Sequence, residues 1–254
     1  MTIKNLQPSN KVAAWVERIL VIENYAVTNS FSLPLFANGS PTLLFNSARG
    51  VMKNKLTNNL TLFGQTILPE AITFNEYFTL VAYFFKPYSL LPLFKVAAVE
   101  LTDNPVNIGL LGSQRARTLQ DQLLSTAGTA SLIQLLDDYI SNLISNSTYD
   151  ISLIRYATTS IAKNSKGTLV SLQKELHTTE RTFQRMFEKH IGIAPRVYRR
   201  VARFNAAFQQ LNSRNFCKLS DLAFEHGYAD QSHFIRTFKE FTNLTPNEYL
   251  HFGD

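Results

Sequence analysis

Between residues 31 and 111 the apolar positions fall into short blocks, TLLFN, LTLFG and YFTLVAYFF, set apart by turn-forming ANGSP and TNN. Short blocks rich in β-branched and aromatic residues, punctuated by Gly, Pro and Asn, predict the strands of a small barrel or sandwich. Ahead of them, NKVAAWVERIL predicts an early helix. After Leu111 the period lengthens. Leu119, Leu123, Leu132, Leu135, Leu136, Tyr139 and Leu143 recur at helical spacing and predict helices with one apolar stripe. The small polar run SNSTYD, residues 145–150, predicts a domain boundary, and only short helices are expected beyond it. The first of these runs from Asp150, a natural N-cap, to Ala162. The expected fold class is α+β, with a β-rich domain and trailing helices over residues 1–145 and an all-α domain over 150–254.

Within the helical half the pattern repeats. Leu172, Phe183, Arg185, Phe187, Pro195 and Tyr198 recur as Leu222, Phe234, Arg236, Phe238, Pro246 and Tyr249, at an offset of 50 residues before an internal turn and 51 after it. Each copy has the order of a helix-turn-helix: a short helix, a tight turn, then a helix with apolar positions at i, i+4. In the second copy Leu219, Leu222 and Ala223 pack the first helix, and Gly227 relieves the turn. Phe234, Phe238 and Phe241 form the buried stripe of the next helix, which turns Gln231, Ser232, His233, Arg236 and Lys239 outward. In the first copy Thr179 caps, Phe183 and Phe187 anchor, and Arg181, Thr182, Gln184, Arg185 and Lys189 face out.

Charge changes the meaning of those faces. The chain of 254 residues carries a net charge of +6, and none of the excess lies in the first 150 residues, where ten basic groups meet ten acidic ones. Residues 151–254 hold fifteen Lys and Arg against nine Asp and Glu. An exposed Arg or Gln taken alone is ordinarily a solvated side chain. Duplicated on one scaffold in the only basic part of the chain, these are the residue types a major-groove reader needs. Arg reaches guanine O6 and N7, Gln reads adenine, and Ser and Lys set the frame on phosphates. PRVYRRVARFNAAFQQL between the copies predicts one helix with Pro195 in its first turn and Val197, Val201, Phe204, Phe208 and Leu211 on one face. Such a rod would hold two readers for adjacent grooves of double-stranded DNA, about 34 Å apart. Arg196, Arg199, Arg200 and Arg203 along it are candidates for backbone contact.

GYADQSHFIRTFKEFTNLTPNEY resembles the signature across the second helix-turn-helix of the AraC/XylS family of bacterial transcription regulators, and ERTFQRMFEKHIGIAP resembles that family's first unit. The resemblance covers residues 151–251. It implies a seven-helix DNA-binding domain that activates or represses transcription, with RNA polymerase as a further partner. It places Arg181, Gln184, Arg185, Gln231, His233 and Arg236 where the family has groove-facing residues, and Ser232 and Lys239 at backbone-contacting positions. His177 departs from the usual turn glycine, Gln173 from a small alanine, and Asn243 from the glycine after the last reading helix. The N-terminal half is similar to the cupin-like effector domains of some members, which implies a small-molecule effector or homodimer formation through the trailing helices. Phe36, Phe45, Phe63, Tyr83, Phe84 and Phe85 are candidates to line a pocket there, against the commoner role of core aromatics.

Other chemistries find little support. All five histidines follow residue 176, so the β-rich part lacks the ligands of a histidine metal site, and no Gly-rich phosphate loop is present. The lone Cys217 is expected to be a small buried hydrophobe, not a nucleophile. Neither an enzyme nor a cofactor is expected. The start lacks the order of a secretory signal, and the apolar stretch 77–101 is cut by Lys86, Pro87, Pro92 and Lys95, so a cytoplasmic protein away from the membrane is expected. The reading from a different class is a protein–protein interaction module whose helical half binds a partner protein; a weak response of binding to salt would favour it.

Overall fold

The computed structural model describes residues 1–25, 30–111, 114–163 and 167–251. It is an α+β protein. Among the described residues ten strands come first: β1 (Thr2–Leu6), β2 (Val16–Asn24), β3 (Phe31–Leu35), β4 (Thr42–Asn46), β5 (Val51–Met52), β6 (Lys55–Leu56), β7 (Leu60–Phe63), β8 (Glu70–Phe74), β9 (Phe78–Phe85) and β10 (Val106–Asn107). They build two antiparallel sheets, one ordered β1-β2-β9-β4-β7-β10 and the other β3-β8-β5-β6. Strand period explains the long apolar run of β9. Leu80 and Ala82 point into the core between the sheets with Leu44, Ile72 and Phe74, while Val81, Tyr83 and Phe85 point to the opposite face.

That opposite face is covered by α1 (Gln114–Ser125) and α2 (Thr129–Ser145), through Leu119, Leu123, Leu132, Leu136 and Ile140. The buried Tyr83 hydroxyl donates to Asp137 Oδ1 at 2.8 Å or to the Ile133 carbonyl at 3.1 Å, pinning α2 to the sheet. Burial and the neighbouring carboxylate push its ionisation well above the ordinary tyrosine range.

The early helix expected over NKVAAWVERIL is not there: residues 10–15 form a turn and β2 starts at Val16. The misleading signal has a physical cause. A bulge between Val16 and Arg18 shifts the register against β9, so Val12, Val16 and Ile19 all face the same core at spacings of four and three, which imitates a helix. Cys217 also differs from expectation, being exposed in the turn before α7, where the neighbouring Phe216 takes the inward position.

The second half is helical: α3 (Ser152–Lys163), α4 (Leu169–Glu175), α5 (Glu180–His190), α6 (Pro195–Asn212), α7 (Leu219–Glu225), α8 (Gln231–Thr242) and α9 (Pro246–His251). Its core reaches into the β-rich half. Ala37 and Tyr88 are buried in the same cluster as Phe183, Phe187, Val201 and Phe204, and Phe36 stands edge-on to Phe208 and Tyr249. The Thr102 hydroxyl donates to the Gly192 carbonyl at 2.9 Å. Gly192 sits at φ +94, with the Ala98 carbonyl filling the space a side chain would need. Among the described residues no helix is long and apolar enough to cross a membrane.

Candidate nucleic-acid interface

The two units start from matching caps. Thr179 Oγ1 accepts from the Thr182 backbone N–H at 3.2 Å to open α5, and Asp230 Oδ1 accepts from the His233 N–H at 2.7 Å to open α8. The turns before them need a left-handed residue. Gly227 supplies it at φ +74 in the second unit, and His177 adopts φ +50 in the first, so the departure at that position keeps the backbone geometry. Asn243 closes α8 at φ +62, its N–H on the Lys239 carbonyl at 2.8 Å.

Phe183 and Phe187 on α5, and Phe234, Phe238 and Phe241 on α8, are fully buried. The helix period then turns the opposite faces outward. Arg181, Gln184 and Arg185 on α5 are exposed, as are Gln231, Ser232, Arg236 and Lys239 on α8. Arg181 and Arg185 stand one turn apart, and Ser232, Arg236 and Lys239 share a stripe with the half-buried Ile235 beside it. Two side chains are less free than the sequence implies. Gln184 Nε2 donates to Glu188 Oε1 at 3.0 Å, and His233 is half-buried with its ring edge-on to Tyr228 at 5.3 Å.

Both units hang on α6, which opens on Pro195 and runs 18 residues, about 27 Å at 1.5 Å per residue. Phe187 of α5 packs on Tyr198, and Phe238 and Phe241 of α8 pack on Phe204. The predicted apolar face holds, with Val201, Phe204 and Leu211 fully buried and Val197 and Phe208 half-buried; Tyr198 and Ala207 extend it.

A second feature was anticipated only in part. A cavity of about 550 Å³ opens at the end of the sandwich, with α6 and Tyr249 as its far wall. Leu20, Leu44, Ala82, Phe84 and Phe63 come from the inner face of the first sheet, Leu33 and Leu35 from β3, and Phe208, Gln209 and Asn212 from α6. Of the six aromatics singled out above, Phe36, Phe63 and Phe84 line it, while Phe45, Tyr83 and Phe85 are core. Among the described residues Arg18 is its one lining residue of fixed charge, its guanidinium carbon 3.5 Å from the Phe84 ring centroid. Burial lowers its pKa, the adjacent Glu17 opposing that shift, but a guanidinium stays charged. Those three aromatics and the Arg among the apolar residues of β2 were the available signals; which distant elements would close the cavity around them was not legible.

Residues 172–251 match the family described as helix-turn-helix domain, and residues 4–107 match a domain of unknown function, DUF6597. An uncharacterised HTH-type transcriptional regulator of Haemophilus influenzae is 36% identical over 77 residues, which are 30% of this chain and 25% of that protein. The chain therefore aligns with about a quarter of the length of that relative. Among solved structures, ToxT from Vibrio cholerae strain SCE256 with an unsaturated fatty acid bound gives a TM-score of 0.52 at 15% identity, covering 91% of this chain and 94% of that one. ToxT from Vibrio cholerae O395 with (E)-4-(8-methylnaphthalen-1-yl)but-3-enoic acid bound gives 0.51 at 13% identity, covering 88% and 98%. At these identities the likeness is one of fold. With the duplicated units and their shared rod, these matches identify residues 172–251 as a helix-turn-helix domain of the AraC type, preceded at residues 4–107 by a DUF6597 domain.

Proposed function

We propose that this protein is a sequence-specific transcription regulator that lays α5 and α8 into adjacent major grooves of double-stranded DNA. The supporting observation is the duplication: two capped helices, each with an arginine at the matching place on its outward face, are fixed to one rod in the basic half of the chain. Arg181, Gln184 and Arg185 read one groove, and Gln231 and Arg236 the other, with His233 contributing from the edge of its face. Ser232 and Lys239 set the frame on phosphates. Arg236→Ala is expected to weaken binding to the cognate duplex by about 1–3 kcal/mol and to relax preference at one base position, whereas Lys239→Ala weakens all duplexes alike. Fluorescence anisotropy on cognate and scrambled duplexes separates the two. Equal losses on both for Arg236→Ala would remove it from the readers, and binding indifferent to salt would favour a protein partner in place of DNA.

The cavity gives this regulator a place for an effector. An apolar chamber with one buried-side cation suits a carboxylic acid with an apolar body, the class of both molecules seen in the ToxT structures. A medium-chain or long-chain fatty acid is expected to raise the thermal midpoint of the full chain and shift its duplex affinity, and Arg18→Gln to diminish both effects. An unchanged response in Arg18→Gln would place the acid elsewhere. Homodimer formation through α1 and α2, and contact with RNA polymerase, complete the proposal.

A further inference from the structure

Four arginines climb α6, and each has a partner within the protein. Arg199 Nη1 donates to the Gly167 carbonyl at 3.1 Å. Arg196 Nη2 lies 4.0 Å from Glu180 Oε1, with both side chains largely in water, where such a pair counts for little. Arg200 pairs with Glu240, and its guanidinium carbon lies 5.5 Å from the Phe241 ring centroid. Arg203 sets its guanidinium 5.5 Å over the Tyr228 ring. The last two, at i and i+3, project from neighbouring points of the rod and meet opposite ends of a single reader. Tyr228 precedes Asp230, the cap of α8, and its ring touches His233; Glu240 and Phe241 lie in the last turn of α8.

We infer that Arg200 and Arg203 are positioning residues that fix the pitch of α8 on α6, and through it the base-pair separation the two readers accept. This rests on the DNA-reading function proposed above. The aromatic seam between the helices, Phe234, Phe238 and Phe241 against Phe204 and Phe208, supplies adhesion without direction, since rings tolerate rolling and sliding. A charge pair at one end and a cation over a ring at the other select one orientation among those the seam would allow. The first reader has another anchor, because the segment after α5 is tied to the β-rich half by the bond from Thr102 to Gly192. Glu240 already holds the Arg200 guanidinium and competes with any phosphate for it.

The test uses the full chain, a cognate duplex selected from a random pool, and versions with one base pair inserted or removed between the two subsites. Arg200→Gln is expected to lose roughly fivefold of the preference for the native separation while the slope of log K on log salt stays unchanged. Glu240→Gln should lose the same preference although it removes a negative charge that would oppose DNA. The exchanged pair Arg200→Glu with Glu240→Arg should recover most of it, and this variant decides the matter if either single variant is unfolded. A salt slope shallower by about 0.9 with spacing preference intact would make Arg200 a phosphate contact and overturn the inference. So would an exchanged pair, folded by circular dichroism, that recovers nothing. A wild-type chain that selects no duplex overturns the functional reading, and this positioning role with it.

Discussion

Phe204→Ala is expected to destabilise the helical half by about 3–5 kcal/mol, the cost of removing a buried aromatic ring, and to abolish sequence-specific duplex binding with it. Phe204 is fully buried at the middle of α6, with ring centroids 5.5 Å from Phe208, 5.6 Å from Phe238 and 5.1 Å from Phe241. It is where the rod meets the second reader. The cavity left by alanine is walled by rings that cannot collapse without moving α8. Urea unfolding measures the first loss and anisotropy the second. Phe224→Ala provides the contrast, because that ring is 57% exposed on α7 and its loss is expected to fall within about 0.5 kcal/mol. Similar costs for the two would mean that α8 is not seated on α6 through this ring.

Gly192→Ala is expected to cost about 2–5 kcal/mol and to break the coupling proposed above between effector and DNA. The left-handed backbone at φ +94 costs an alanine about 1–2 kcal/mol. The new Cβ would stand 2.6 Å from the Ala98 carbonyl oxygen and 2.6 Å from Thr102 Oγ1, an overlap that adds about 1–3 kcal/mol or pushes the segments apart. Separation severs the bond from Thr102, one of the ties between the halves. Duplex binding without effector should persist, because both readers stay on α6, while the shift in duplex affinity caused by a fatty acid should vanish. Titrating duplex into the variant with and without the acid checks this. A shift as large as in wild type would show that coupling runs through the α6 wall of the cavity alone.

Where local chemistry and packing agree, the sequence is transparent. TLLFN is β4 residue for residue, and the cap at Thr179, the Asp150 bond just ahead of α3, the turn at Gly227 and the proline start of α6 each carry their cause in one residue. The exposed faces of α5 and α8 were legible for the same reason: Phe stripes at i, i+4 fix what points away from them. His233 was not, because its burial depends on Tyr228, which sits outside the helix period. The bulge at Val16 hid a strand behind helical spacing. Arg200 and Arg203 read as candidates for backbone contact, with no sign of Glu240 and Tyr228, which α8 brings to them from 40 and 25 residues along the chain. Chemistry that depends on contacts between distant segments leaves the weakest trace in a single chain.

Guanine N7 methylation protection on a duplex selected by the full chain tests the two-reader arrangement most directly. Two clusters of protection are expected on one face, centred about 10 base pairs apart, with one lost in Arg185→Ala and the other in Arg236→Ala. A single cluster, or two on opposite faces of the duplex, would contradict it.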